Sequence, residues 1–162
     1  MNDSTTIALV TGASRGIGRA IALDLGNRGF TVIGTATSDS GAQQISSYLA
    51  ENSISGEGMC LDVSCDESVA TMMSAIVEKH GAPTILVNNA GITKDNLLMR
   101  MKADEWSDVI DTNLGSMYRL CKACMKGMTK ARWGRIINIS SVVGSSGNAG
   151  QSNYAASKAG IE

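Results

Sequence analysis

The chain has 162 residues, 43% hydrophobic and 18% charged, with a formal net charge of −1. That balance belongs to a folded domain with room for one hydrophobic core and excludes a disordered chain. It gives no bulk electrostatic reason to expect nucleic acid or an anionic membrane as partner. Apolar runs such as "TILV" and "IALV" are too short to cross a bilayer, and no basic leader with a hydrophobic region follows Met1. A soluble, cytoplasmic protein is expected.

In chain order, "IALV" (Ile7 to Val10) reads as a buried strand, followed by a glycine-rich turn and a helix to about Arg28 that Gly29 closes. "FTVIGT" is a second strand, and a polar helix runs from about Asp39 to Glu51. "GMCLDV" is a third strand; Ser64 with Glu67 then forms a capping-box pattern ahead of a helix whose apolar face is Val69, Met72, Met73, Ile76 and Val77. His80 before Gly81 suits that helix's C-terminus. Pro83 sits in the turn before a fourth strand, "TILVNN". One long helix is expected from about Asp104 to Met128, then a fifth strand, "RIINIS", and a last helix from near Asn153. Strands alternating with helices of this length specify an α/β fold: a Rossmann-like, doubly wound parallel sheet with helices on both faces.

Two cysteine pairs, Cys60 with Cys65 and Cys121 with Cys124, have spacings that raise the question of metal or redox chemistry. Cys121 and Cys124 fall on the stripe Ile110, Leu114, Met117, Cys121, Cys124, Met128, and Cys60 falls in a strand. Cysteines so placed pack as small hydrophobes, so no metal site is expected. A second stripe is basic: Arg119, Lys122, Lys126 and Lys130, with Arg132 and Arg135 beyond. Such a stripe is either a solvated face or a surface that steers an acidic partner.

In an open α/β sheet, ligands gather beyond the carboxyl ends of the strands, and the unusual residues of this chain fall there. "TGASRGIG" carries Gly12, Gly16 and Gly18 between the first strand and first helix, where close backbone approach and free N–H groups suit a pyrophosphate. Its spacing departs from the general Gly-x-Gly-x-x-Gly dinucleotide pattern. The stretch Thr31 to Ser38 has no acid to hold a ribose 2′-hydroxyl, whereas Arg15 and Thr37 suit a 2′-phosphate. NADP(H) is therefore favoured over NAD(H), with Asp39 as the rival residue for the ribose, or else as the start of the next helix.

Tyr154 and Lys158 stand four apart, on one helix face. An ammonium beside a phenol stabilises its ionised form, which proton transfer to a carbonyl oxygen requires. A buried tyrosine beside a snorkelling lysine would look the same in isolation.

Taken in order, "TGASRGIG", "NNAG" (Asn88 to Gly91), Asn113 in "TNL", Ser141 in "SSVVG", and Tyr154 with Lys158 resemble the short-chain dehydrogenase/reductase family. The resemblance implies hydride transfer from the nicotinamide to a carbonyl carbon while Tyr154 gives a proton to the oxygen. Lys158 would bind the nicotinamide ribose and lower the tyrosine pKa, Ser141 would orient the substrate carbonyl (Ser140 being the alternative), and Asn113 would hold a water for proton resupply. It implies cofactor contacts from Gly12, Ser14, Arg15, Gly16, Ile17, Gly18, Thr37, Asp62, Val63, Asn89, Ala90 and Gly91, besides Tyr154 and Lys158. "NNAGITKDNLLMRMK" and "RIINISSVVGSSGNAGQSNYAASKAG" look most like the 3-oxoacyl-[acyl-carrier-protein] reductases of type II fatty-acid synthesis. That branch implies NADPH, an acyl-carrier-protein-bound 3-oxoacyl substrate and a homotetramer. Reduction of acetoacetyl-coenzyme A or another small ketone stays open, as does a nucleotide-binding module without turnover. Family members run well past the tyrosine–lysine helix. Residues 1–162 are thus expected to be a single NADP-binding and catalytic domain, cut short in the helix that carries Tyr154 and Lys158.

Overall fold

The computed structural model describes residues 6–162. Most of the stretch ahead of Ile7, on which the reading of an absent leader rests, lies outside them. Five strands, β1 (Ile7–Val10), β2 (Thr31–Ala36), β3 (Gly56–Cys60), β4 (Ile85–Asn88) and β5 (Arg135–Asn138), pair in parallel in the order β3-β2-β1-β4-β5. The order of strand addition reverses between β1 and β4, which are themselves parallel, and that switch point creates the crevice that binds ligands in folds of this kind.

Side chains alternate across the sheet. Ala8, Val10, Val32 and Val87 face α1 (Gly16–Asn27) and α2 (Asp39–Glu51), meeting Ala22, Ile45 and Leu49. Ile7, Leu9, Ile33 and Leu86 face α3 (Asp66–Lys79) and α5 (Ser116–Ala131), meeting Met72, Ile76, Leu120 and Met128. Each wholly buried Val, Leu or Ile side chain among these contributes about 1.5–3 kcal/mol. Strands β1, β2 and β4 are buried along their whole length because both faces of the sheet are covered there.

Several elements differ from the sequence reading. Strand β3 ends at Cys60, before Leu61-Asp62-Val63, and lies at the sheet edge, which leaves Cys60 exposed. Cys65 is exposed too, while Cys121 is half-buried and Cys124 buried; all four are free thiols. Ser64 does not cap α3. Its hydroxyl donates to Asp62 Oδ1 at 2.6 Å, Cys65 takes the cap position, and Val77 turns outward with 49% exposure. Asp39 begins α2 as expected, with Ser38 ahead of it as the cap, its Oγ accepting from the Gly41 N–H. The expected long helix is α4 (Ala103–Ile110), a π-helical turn (Asp111–Gly115) and α5. A short helix α6 (Val142–Ser146) follows β5, ahead of α7 (Ser152–Ala159). Strand β5 is the other edge, and Ile136 and Ile137 remain partly exposed. The basic stripe is broken at its first member, since Arg119 is paired with Asp66 and Asp111. Among the described residues no helix is long and apolar enough to cross a membrane.

His80 caps α3, and its Nε2 lies 2.7 Å from Glu57 Oε1, with Lys79 Nζ 2.7 Å from Oε2. The pair ties edge strand β3 to the helix above it. The Lys79 hydrogen bond, aided by His80 and opposed by desolvation, holds the Glu57 carboxyl below its ordinary value. A carboxyl lowered in the folded state contributes stability above its unfolded pKa, and loses it as pH falls through the folded one. Glu57→Gln is therefore expected to lower stability by about 1 kcal/mol or less near neutrality, because Lys79 is screened by solvent. The gap between variant and parent, followed by urea unfolding, should close as the solution is acidified below 4.5, the ordinary glutamate value.

Candidate active site

Beyond the carboxyl ends of β1, β2 and β4 lies a cleft of about 450 Å³. The glycine turn forms one wall. Gly12 takes φ +65°, which a β-carbon disfavours, and one added there would stand 3.0 Å from Ala90 Cα. At Gly18 an added β-carbon would lie 2.2 Å from the Gly12 carbonyl oxygen and 2.5 Å from Asn89 Nδ2. The first turn of α1 can thus lie directly against the loop, and its N-terminus faces the cleft.

Of the residues assigned to the cofactor, Gly12, Ser14, Arg15, Gly16, Ile17, Gly18, Thr37, Val63, Asn89, Ala90 and Gly91 line this cleft. Asp62 does not. Its carboxylate accepts from the hydroxyl and backbone N–H of Ser64, which hold it below the ordinary value, and its own N–H donates to Ser68 Oγ. Asp39, the rival for the ribose, begins α2 and is also absent from the wall. Thr35, Ala36, Leu61, Ile92 and Thr112 line the cleft without having been singled out.

Thr11 joins the two halves of the cleft. Its Oγ1 accepts from the backbone N–H groups of Asn89 and Ala90, each at 3.0 Å, and donates to the Val87 carbonyl at 3.3 Å. Asn89 Nδ2 returns to the carbonyls of Thr11 and Gly12, at 2.9 and 3.1 Å. From the α2 side, Tyr48 donates its hydroxyl to the Ala13 carbonyl at 2.9 Å, and burial pushes its pKa up to about 12. The turn is thus held from both sides, as positioning a cofactor demands. Thr11→Val keeps the shape and leaves two partly buried N–H groups without acceptors. Each orphaned donor costs about 1–3 kcal/mol where it is out of reach of water. A lowered urea midpoint is the expected result.

The remaining assigned residues lie along α6 and α7. Lys158 is buried, with 6% exposure, and Nζ donates to the Ile139 carbonyl just beyond β5 at 2.7 Å. Desolvation lowers its pKa. The ammonium lies 5.7 Å from the centre of the half-buried Tyr154 ring. Ser141 caps α6: its Oγ accepts from the Val143 N–H at 3.3 Å, and the hydroxyl hydrogen stays available to a ligand oxygen. The alternative, Ser140, donates to the Lys158 carbonyl and contacts Glu162 Oε1.

Asn113 connects this group to the cleft. It sits in the π-helical turn with 2% exposure; its Oδ1 accepts from the Ile92 N–H at 2.8 Å, while Nδ2 donates to the Ile92 carbonyl and to Ser157 Oγ. The side chain therefore spends its capacity on a cleft residue and on the tyrosine helix. Asn153 anchors α7 in turn, through the carbonyls of Lys94 and Glu105. Neither Ser157 nor Asn153 stood out in the sequence, since each is an ordinary polar residue until the fold supplies its partner. Among the described residues no cluster of three His, Cys, Asp or Glu side chains offers a metal site.

Residues 6–162 match the family model described as short chain dehydrogenase. Similar curated proteins include the 3-oxoacyl-[acyl-carrier-protein] reductase FabG of Pseudomonas aeruginosa, 67% identical over 156 residues, which are 96% of this chain and 63% of that protein. The enzymes of the same name from Vibrio cholerae and Escherichia coli K12 are 62% and 60% identical over 161 residues, 99% of this chain and 65% of each. The chain thus spans a little less than two thirds of the length of these relatives. With the crevice, glycine turn and tyrosine–lysine helix in their places, the match leaves one conclusion: the chain belongs to the short-chain dehydrogenase family.

Proposed function

We propose that the protein is an NADPH-dependent 3-oxoacyl-[acyl-carrier-protein] reductase, forming the (3R)-3-hydroxyacyl thioester in type II fatty-acid synthesis. The observation that supports this reading most is the junction of the cleft and the tyrosine helix through Asn113, which is bonded to Ile92 of the cleft wall and to Ser157, the neighbour of Lys158. The relatives' printed names supply the substrate class. The protein is read as cytoplasmic, as a homotetramer, and as a single cofactor-binding and catalytic domain over residues 1–162.

The glycine cradle fits a dinucleotide, since a β-carbon at Gly18 would close it against the Gly12 carbonyl. Gly12 to Gly18 would receive the pyrophosphate, Arg15 and Thr37 the 2′-phosphate, Val63 the adenine, and Asn89 to Gly91 the ribose. Asp62 is left the part of shaping the Leu61–Val63 edge. When bound, the cofactor supplies the hydride. Ser141 orients the substrate carbonyl through its free hydroxyl hydrogen, and Tyr154 donates the proton to the developing alkoxide oxygen. Lys158 keeps a positive charge beside the phenol, held by the Ile139 carbonyl. Asn113 fixes the spacing between cleft and helix; water held near it for proton resupply would rely on groups other than its occupied side-chain amide.

Equilibrium titration with NADPH and NADH tests the cofactor assignment. Tighter binding of NADPH, lost in Arg15→Ala, is expected; equal binding of the two would overturn it. Parallel turnover with acetoacetyl-acyl carrier protein and acetoacetyl-coenzyme A, in which the carrier-protein thioester gives the higher kcat/KM, would set this reading above the small-ketone one.

A further inference from the structure

We infer that Arg119 is a positioning residue, a strut that bridges Asp66 and Asp111 and so holds the π-helical turn carrying Thr112 and Asn113 in register with the cleft.

Arg119 stands in the first turns of α5. Its Nε donates to Asp66 Oδ1 at 2.8 Å, at the start of α3, and its Nη2 donates to Asp111 Oδ1 at 2.7 Å, at the start of the π-helical turn. Nη1 adds a longer bond to the Asp111 carbonyl, at 3.4 Å. The guanidinium side chain is only 18% exposed. The hydrogen bond to Asp111, supported by Asp66, holds it above its ordinary pKa. A planar fork can serve two carboxylates in fixed directions at once, which an ammonium cannot do.

The neighbouring glycine belongs to the same construction. A β-carbon at Gly115 would lie 2.6 Å from Asp111 Oδ1 and 3.0 Å from Arg119 Nη1, so the ion pair crosses the turn where a side chain would otherwise stand. A π-helical turn accommodates one residue more than an α-turn and needs outside contacts to persist. Here Asn113 is gripped from inside by Ile92 and Ser157, and Asp111 from outside by Arg119. Relaxation to an α-turn would rotate Thr112 away from the cleft wall and Asn113 away from Ile92. The other end of the strut, Asp66, begins the helix that follows Asp62 and Val63, so one guanidinium touches supports on both sides of the cleft. Asp66 is 87% exposed, and the strut accordingly acts through geometry more than through ion-pair stability.

The kinetic part of the test rests on the reductase reading; amide hydrogen exchange does not. In Arg119→Met, exchange at Ile92 and Asn113 is expected to rise about three- to tenfold while β1 and β4 exchange as before. Turnover of the 3-oxoacyl thioester should fall about ten- to a hundredfold, a cost typical of ångström-scale misplacement. Arg119→Lys should recover little. Asp111→Asn should reproduce the kcat loss, whereas Asp66→Asn should raise the NADPH dissociation constant more than it lowers kcat. Gly115→Ala provides an independent disturbance of the same pair, should Arg119→Met not fold. Unchanged exchange at Ile92 and Asn113 in Arg119→Met, Asp111→Asn and Gly115→Ala overturns the inference, as does faster exchange with unaltered kcat in an active enzyme. Faster exchange in these variants, where the parent itself neither binds NADPH nor turns over the thioester, supports the strut and rejects the reductase reading.

Discussion

Lys158→Met should reduce turnover by about a hundred- to ten-thousandfold, the range for loss of positioned acid–base chemistry. The folded protein should persist. Lys158 is buried, with its ammonium held by the Ile139 carbonyl and set beside the Tyr154 ring. Desolvation lowers its pKa from 10.5, so the charge is carried at some expense to the fold. The sign follows from proton counting: between the lowered folded value and 10.5 the unfolded chain binds more protons, and parent stability rises with pH in that window. Below it the penalty is fully present and constant. Methionine has similar bulk and no charge, so the variant should lack this alkaline rise. Urea unfolding of both proteins across the alkaline range measures it, and a difference independent of pH would show that burial of the charge is not what perturbs Lys158. On the proposed reading, the chemistry and the stability cost would reside in one side chain, as expected where function takes precedence over packing.

Gly18→Ala should abolish the proposed cofactor site. Its β-carbon would stand 2.2 Å from the Gly12 carbonyl oxygen and 2.5 Å from Asn89 Nδ2. Neither neighbour can yield cheaply, because the first is backbone and the second holds the Thr11 and Gly12 carbonyls. The first turn of α1 must move off the loop, withdrawing its N–H groups from the pyrophosphate position. Overpacking of this kind costs about 1–3 kcal/mol or more, and NADPH affinity should fall beyond detection by titration while the far-ultraviolet spectrum stays that of the parent. Retention of parental affinity would show that the turn has slack which its geometry denies.

What was legible in the sequence is what short-range pattern encodes. The apolar strands, the glycine turn and the Tyr154–Lys158 helix each carry their signal within about ten residues. The lock between Thr11 and Asn89 spans 78 positions, and nothing in either residue announces the other. Arg119 looked like one more member of a basic stripe, because helical spacing says which face a residue occupies and not what lies opposite. Its carboxylate partners come from another helix and from a turn whose π geometry leaves no mark in apolar periodicity. Ser64 fitted a capping pattern but lost to the tighter local turn that Asp62 makes with it. Cys60 was expected to be covered, yet β3 is an edge strand, and position within a sheet is set by pairing, not by the strand's own composition. Asp62 was assigned through the family resemblance; its carboxylate accepts from Ser64, and the residue is not part of the cleft wall.

The most direct measurement is NADPH oxidation in the presence of a 3-oxoacyl-acyl carrier protein thioester, made on the parent protein and on Tyr154→Phe. Substrate-dependent oxidation by the parent, formation of the (3R)-hydroxyacyl product, and loss of turnover in the variant with NADPH binding retained are the expected results. Binding of NADPH without thioester reduction, or a Tyr154→Phe protein as active as the parent, would contradict the reductase reading.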